Sequence, residues 1–172
     1  MNDPAIVTAA QRFSREEFAS SYGWPFLVGE PSLSVPRTAM RTLVNAPALR
    51  GIDTILPDTH DEPAPATSHL LVLPVRKRQD VFPEMITIGR TANNDIVIND
   101  ATVSKFHGFF RVVDDRLELV DAGSRNGTKV MGRALAPKQP MAVTPGTRIR
   151  FGTVDLVLHN PREAWDLIRA RS

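Results

Sequence analysis

Between Leu70 and Leu158 the apolar residues come in short runs that alternate with polar ones and break at turn residues. Leu70–Val75 reads as a strand, and Met85–Ile88 as the next. Asp95–Ile98 alternates through Ile96 and Ile98. Phe109–Val113 leads into an Asp114-Asp115 turn, from which Leu117–Val120 returns. Thr147–Phe151 alternates through Ile149 and Phe151, while Val154, Leu156 and Leu158 share one face. Strands this short predict an all-β domain over residues 68–159, an antiparallel sandwich that sends its loops to its two ends.

The flanks carry different signals. Ser14 suits a helix N-cap, with Glu17 three residues on completing a capping box, and this short helix should end near Tyr22-Gly23. Phe13, Phe18, Tyr22, Trp24 and Phe26 crowd the same stretch, so residues 1–30 form an N-terminal extension expected to pack on the domain or to recruit a partner. Residues 31–67 read as a Pro-rich acidic linker. They hold Pro31, Pro36, Pro47, Pro57, Pro63 and Pro65, and the acids Asp53, Asp58, Asp61 and Glu62 without a Lys or Arg from Gly51 onwards. After the domain, Asn160 caps, Pro161 opens and Glu163 supports a C-terminal helix over 160–172.

At 172 residues and 42% apolar composition the chain suits one compact domain with extensions. A net charge of +2 is too small for a general polyanion binder, and the absence of cysteine excludes disulfides. The N-terminus lacks a signal-peptide pattern and no apolar run is long enough to span a membrane, so a cytoplasmic location is expected.

Chemistry concentrates between Gly89 and Thr128. Arg90 follows a glycine at a strand end, and its planar guanidinium suits paired hydrogen bonds to a phosphate. Ser104 lies 14 residues later in a loop, where a hydroxyl can donate to a phosphate oxygen and Lys105 can add charge. His107, entering the strand Gly108-Phe109-Phe110, reads as a buried hydrogen-bonding residue that holds the Ser104 loop. Asn126-Gly127 is a turn dipeptide, and the carboxamide can both donate to and accept from a ligand's main chain.

Taken together, Gly89-Arg90, Ser104-Lys105-Phe106-His107 and Gly123-Ser124-Arg125-Asn126-Gly127-Thr128 resemble the signature of the forkhead-associated (FHA) domain over residues 68–159. Thr91–Ile98 and Pro145–Gly152 look like that family's strands and loops as well. The resemblance implies an FHA-type β-sandwich that binds phosphothreonine peptides with loops at one end. Position by position, Arg90 and Ser104 would bind the phosphate, with Lys105, Ser124 and Arg125 lining or flanking it. Asn126 would hold the peptide backbone, while Gly89, His107 and Gly127 would shape the site. It further implies an adaptor downstream of a Ser/Thr kinase, with no catalytic residue, metal or cofactor, and chain ends about one sandwich length away from the loops.

Competing readings are few. The scattered His60, His69, His107 and His159 offer no catalytic or metal spacing, which speaks against an enzyme. Arg76-Lys77-Arg78 with Arg90 and Lys105 could make a basic patch, yet no aromatic residues interleave as nucleic-acid stacking needs. A phospho-independent scaffold, using the sandwich face or the aromatic N-terminal segment, is the alternative to phosphopeptide reading. Thr38, Thr42, Thr54 and Thr59 are candidates for a phosphothreonine that would occupy the chain's own site.

Overall fold

The computed structural model describes residues 4–29, 70–80 and 82–171. The linker reading and its four threonines lie outside the described residues. In chain order the described elements are α1 (Pro4–Arg12), α2 (Arg15–Ser21), β1 (Phe26–Gly29), β2 (Leu71–Pro74), β3 (Ile86–Gly89), β4 (Ile96–Val97) and β5 (Gly108–Val113). They continue with β6 (Arg116–Asp121), β7 (Thr128–Val130), β8 (Arg133–Ala134), β9 (Pro140–Val143), β10 (Arg148–Phe151), β11 (Val154–His159) and α3 (Pro161–Arg169).

The strands form two sheets, ordered β2-β1-β11-β10-β7-β8 and β4-β3-β5-β6-β9. The β3–β4 pair is parallel, with Ile88 opposite Ile96, and the other ladders are antiparallel. The period-two pattern becomes the core directly. In β10, Ile149 and Phe151 are fully buried while Arg148 and Arg150 face out. Leu27, Ile88, Phe110, Leu119, Phe151 and Leu158 meet between the sheets with their neighbours. The sandwich is thus the all-β fold the alternation foretold.

A second apolar cluster lies outside the six-stranded sheet. Ile6, Ala10 and Phe18 from the N-terminal helices meet Ala164 and Ile168 of α3 over Phe26, Val28 and Val72. Ser14 and Asn160 cap α2 and α3, each in a capping box with the glutamate three residues on. Arg15 bridges to Asp166 at 2.7 Å and Arg162 to Glu16 at 2.7 Å, tying α2 to α3. Of the aromatic group, Phe18 and Phe26 are fully buried and stack on each other, Tyr22 meets Phe18 at a tilt and Phe26 and Trp24 edge-on, and Phe13 stands exposed. No helix among the described residues is long and apolar enough to cross a membrane.

The alternation pattern did not foresee four strands or the helix α1. Residues 26–29, assigned to the N-terminal extension, form β1 inside the six-stranded sheet between β2 and β11. Four residues with both faces covered, Leu27 by one core and Val28 by the other, show no alternation to read. β7, β8 and β9 are short, and β9 opens on a proline. Nor does the flanking segment attach one sandwich length from the loops. Gly29 packs so tightly on Asp155 and Leu156 that a Cβ there would lie 2.4 Å from the Asp155 carbonyl oxygen. Gly29 also faces Leu71 across the β1–β2 ladder. Gly29 and Leu71, on either side of residues 30–69, therefore both lie near the start of β11, beside the Gly152-Thr153 turn.

Because the helices complete this outer core, Phe18→Ala should destabilise the whole protein by about 3 kcal/mol, the usual cost of emptying a buried phenylalanine site. Urea unfolding should show one cooperative transition at a lower midpoint; an unchanged midpoint would contradict an integral N-terminal segment.

Candidate functional site

Three loops meet at the Gly152-Thr153 end: the β3–β4 loop from Arg90, the β4–β5 loop through Ser104, and the β6–β7 loop through Asn126. Ser104 joins them. Its carbonyl accepts from the Arg90 N–H at 2.9 Å, and its N–H donates to His107 Nδ1 at 3.1 Å. Its Oγ accepts from the Arg125 N–H at 3.0 Å, which leaves the hydroxyl proton free to donate outward.

Gly89 is buried at the end of β3. A Cβ there would lie 2.3 Å from the Lys105 carbonyl oxygen and 2.8 Å from Asn94 Nδ2. Close approach of two loops demands the glycine, since its φ is not positive. The Lys105 carbonyl accepts from Asn94 Nδ2 at 2.7 Å and from Thr91 Oγ1 at 2.9 Å. With its backbone pinned, the Lys105 side chain projects to solvent. The side chains of Arg90, Lys105 and Arg125 make no hydrogen bond or ion pair with another described residue. Arg90 is half-buried, and the other two are exposed.

Asp121, at the end of β6, organises the third loop and was not singled out from sequence. Its carboxylate accepts from the N–H groups of Gly123 and Ser124, both at 2.8 Å, from Ser124 Oγ at 2.7 Å and from Thr128 Oγ1 at 2.6 Å. Burial would raise this carboxyl, yet the donors of Thr128, Ser124 and Gly123 hold it below the usual carboxylate range. Asp followed by Ala-Gly-Ser carries the signal of an Asx-turn, the cue that could have revealed it. Ser124 thus spends its one hydroxyl proton on Asp121 rather than offering it to solvent.

His107 is fully buried with its ring perpendicular to that of Phe151, and its Nε2 faces Asp121 Oδ2 at 3.8 Å, beyond normal hydrogen-bond reach. Burial holds the imidazole below its ordinary value, against the upward pull of the Asp121 carboxylate and the Gly127 carbonyl. Neutral His107 keeps Nδ1 as an acceptor for the Ser104 N–H. Its stabilising contribution is present above about pH 6.5, the ordinary His value, and fades as the pH falls.

Asn126 donates from Nδ2 to the Thr102 carbonyl at 2.7 Å, leaving its Oδ1 and second N–H for a ligand. Gly127 follows at φ +73°, a left-handed conformation that costs glycine little. Thr102 Oγ1 in turn accepts from the Thr153 N–H at 3.0 Å, and the Gly127 carbonyl from the Gly152 N–H at 3.1 Å. The site therefore offers unspent donors on a braced frame, suited to an anion on an extended chain. No cluster of three or more His, Asp or Glu able to hold a metal occurs among the described residues.

The basic run at 76–78 is used inside the fold. Arg76 lies over the Trp24 ring at 5.1 Å, and Lys77 Nζ meets Asp95 Oδ2 at 2.9 Å and the Met85 carbonyl at 2.7 Å. Asp95 also accepts from the N–H groups of Arg78, Gln79 and Thr87 and from Thr87 Oγ1. Burial would raise this carboxyl, but the hydrogen bonds from Arg78, Lys77, Thr87 and Gln79 bring it down to about 2.

Residues 86–152 match the family model described as FHA domain. The oxoglutarate dehydrogenase inhibitor of Corynebacterium efficiens is 33% identical over 119 residues, 66% of this chain and 74% of that protein. The match to the protein of the same name in Corynebacterium jeikeium spans 51% of that protein's length. The glycogen accumulation regulator GarA of Mycobacterium tuberculosis is 31% identical over 138 residues, 77% of this chain and 82% of that protein. Among solved structures, the N-terminal FHA domain of S. cerevisiae Rad53p in complex with a phosphothreonine peptide aligns over 59% of this chain and 94% of its own, at 19% identity and a TM-score of 0.46.

The depressed Asp95 carboxyl sets an acid limit on the frame. Its folded pKa lies below the unfolded one, so the unfolded chain binds more protons and stability falls as the pH drops from about 4 through 2. The loss amounts to about 2 kcal/mol at 1.36 kcal/mol per pK unit. Urea titrations of wild type and Asp95→Asn at several pH values should show a stability gap near pH 6 that narrows towards pH 2; parallel curves would count against this role.

Proposed function

This chain belongs to the FHA domain family, and on that premise we propose that it reads phosphothreonine on a partner protein through the three-loop site. The observation that carries the reading is the set of unspent donors around Ser104: the Arg90 guanidinium, the Ser104 hydroxyl proton and the Lys105 ammonium. A phosphothreonine presents close to two negative charges and three acceptor oxygens, and it needs donors without internal partners. Arg90 supplies the charge-assisted hydrogen bonds, Ser104 and Lys105 complete the phosphate contact, and Asn126 holds the peptide backbone with Arg125 beside it. Gly89, His107 and Gly127 keep the loops in place. Ser124 moves from the phosphate contacts to this supporting group, because its proton already serves Asp121.

The protein acts as a binding module, downstream of the Ser/Thr kinase that makes the phosphothreonine. The names of its relatives make an oxoglutarate dehydrogenase the first partner to test. Regulation by a phosphothreonine within segment 30–70 gains support from the placement of both segment ends beside the loops. Tail reach then sets no limit on Thr38, Thr42, Thr54 or Thr59. Phosphorylated protein that still bound peptide at full strength would end that reading.

Titration with a degenerate phosphothreonine peptide library and its unphosphorylated twin tests the main reading. Wild type should bind only the phosphorylated library. Arg90→Ala should weaken binding at least roughly tenfold, consistent with the 2–5 kcal/mol cost of removing one partner of a desolvated charge pair. Ser104→Ala and Asn126→Ala should weaken it less, and unchanged affinity in Arg90→Ala would remove the site assignment.

A further inference from the structure

The three helices cover one half of the outer face of the six-stranded sheet, over Val28 and Val72. The half made by β10, β7 and β8 carries no helix among the described residues. A groove of about 650 Å³ runs there, lined by Lys129, Met131, Arg148, Arg150, Asp155 and Val157. Strand register sets Lys129 opposite Arg150 and Arg150 opposite Asp155, so the three side chains form one row. Arg150 holds Asp155 with both Nε and Nη2, which matches the groove's one carboxylate. Lys129 and Arg148 have no hydrogen-bonded acid among the described residues. Met131, at the turn after β7, is 66% exposed and adds apolar surface beside Val157.

Lys129 is three residues beyond Asn126, at most about 10 Å along an extended chain. A polypeptide held at Asn126 can therefore continue into the groove. We infer that this groove is a second contact surface for the phosphorylated partner, taking an acidic, extended stretch of the same polypeptide that carries the phosphothreonine. The inference rests on the phosphothreonine reading, on the groove's excess of positive charge and on its continuity with the loops. Single exposed ion pairs are weak. Their value here comes from tethering, because a second contact on an already bound chain acts at roughly millimolar effective concentration.

The test uses a phosphothreonine peptide joined through a Gly-Ser linker to six glutamates or six glutamines, with the tail on either side in separate peptides. The full chain and its Lys129→Ala/Arg148→Ala variant are titrated with each. The glutamate tail should strengthen binding to wild type roughly tenfold on at least one side. That advantage should vanish in the variant, while the glutamine-tailed peptide binds both proteins alike and so reports an intact fold. Equal affinities for both tails in wild type, or an advantage that survives in the variant, would overturn the groove. If the glutamine-tailed peptide binds neither protein, the phosphothreonine reading fails, and an unphosphorylated hexaglutamate peptide then decides the groove alone. Perturbation of the Lys129 and Arg148 NMR signals by that peptide supports an acidic-chain surface, and its absence overturns it. A DNA oligonucleotide that displaces hexaglutamate at lower concentration would assign the surface to nucleic acid instead.

Discussion

Ser104 has a carbonyl, an amide and a hydroxyl oxygen, and each reaches a different neighbour. The carbonyl takes the Arg90 N–H, the amide reaches the buried ring of His107, and the hydroxyl oxygen takes the Arg125 N–H. Three loops that are far apart in sequence are thereby fixed around one residue. A hydroxyl whose oxygen already accepts one bond has its proton aimed away from that donor. The same constraint that locks the loops thus leaves a donor facing outward.

The frame treats the two signs of charge differently. Its key carboxylates, Asp95 and Asp121, are buried at 2% and 1% exposure and saturated with donors, several of them backbone N–H groups. Such carboxylates are held ionised by fixed dipoles and add no exposed negative charge near the loops. The cations Arg90, Lys105 and Arg125 stay at the surface. An incoming anion meets positive charge with no competing acid tied to it, an arrangement that favours encounter as well as binding.

The strands with one face buried were legible because alternation reports burial on one side: Ile149 and Phe151 inward, Arg148 and Arg150 outward. β1 was illegible for the opposite reason, since its side chains enter two separate cores. Both capping boxes could be read from residue spacing alone, whereas α1, opening on Asp3-Pro4, has Ile6 where a box would place Glu or Gln. At the loops, the sequence identified which residues come together but not how their protons are shared. Ser124 and Ser104 are both loop serines, and Asp121 beneath one of them decides that Ser124 looks inward. Gly89 was singled out, but its reason, a Lys105 carbonyl arriving from another loop, depends on tertiary contact.

Gly29 and Leu71 face each other across a ladder, so the chain between them closes a loop whose two ends are neighbours. A single cut within it would divide the molecule into a small piece bearing α1, α2 and β1 and a large piece bearing the remaining elements. The β1–β2 and β1–β11 ladders, with the buried rings of Phe18 and Phe26, would hold the pieces together. The described fold is thus built from two stretches of chain that meet along shared ladders, and the smaller is a candidate for supply in trans.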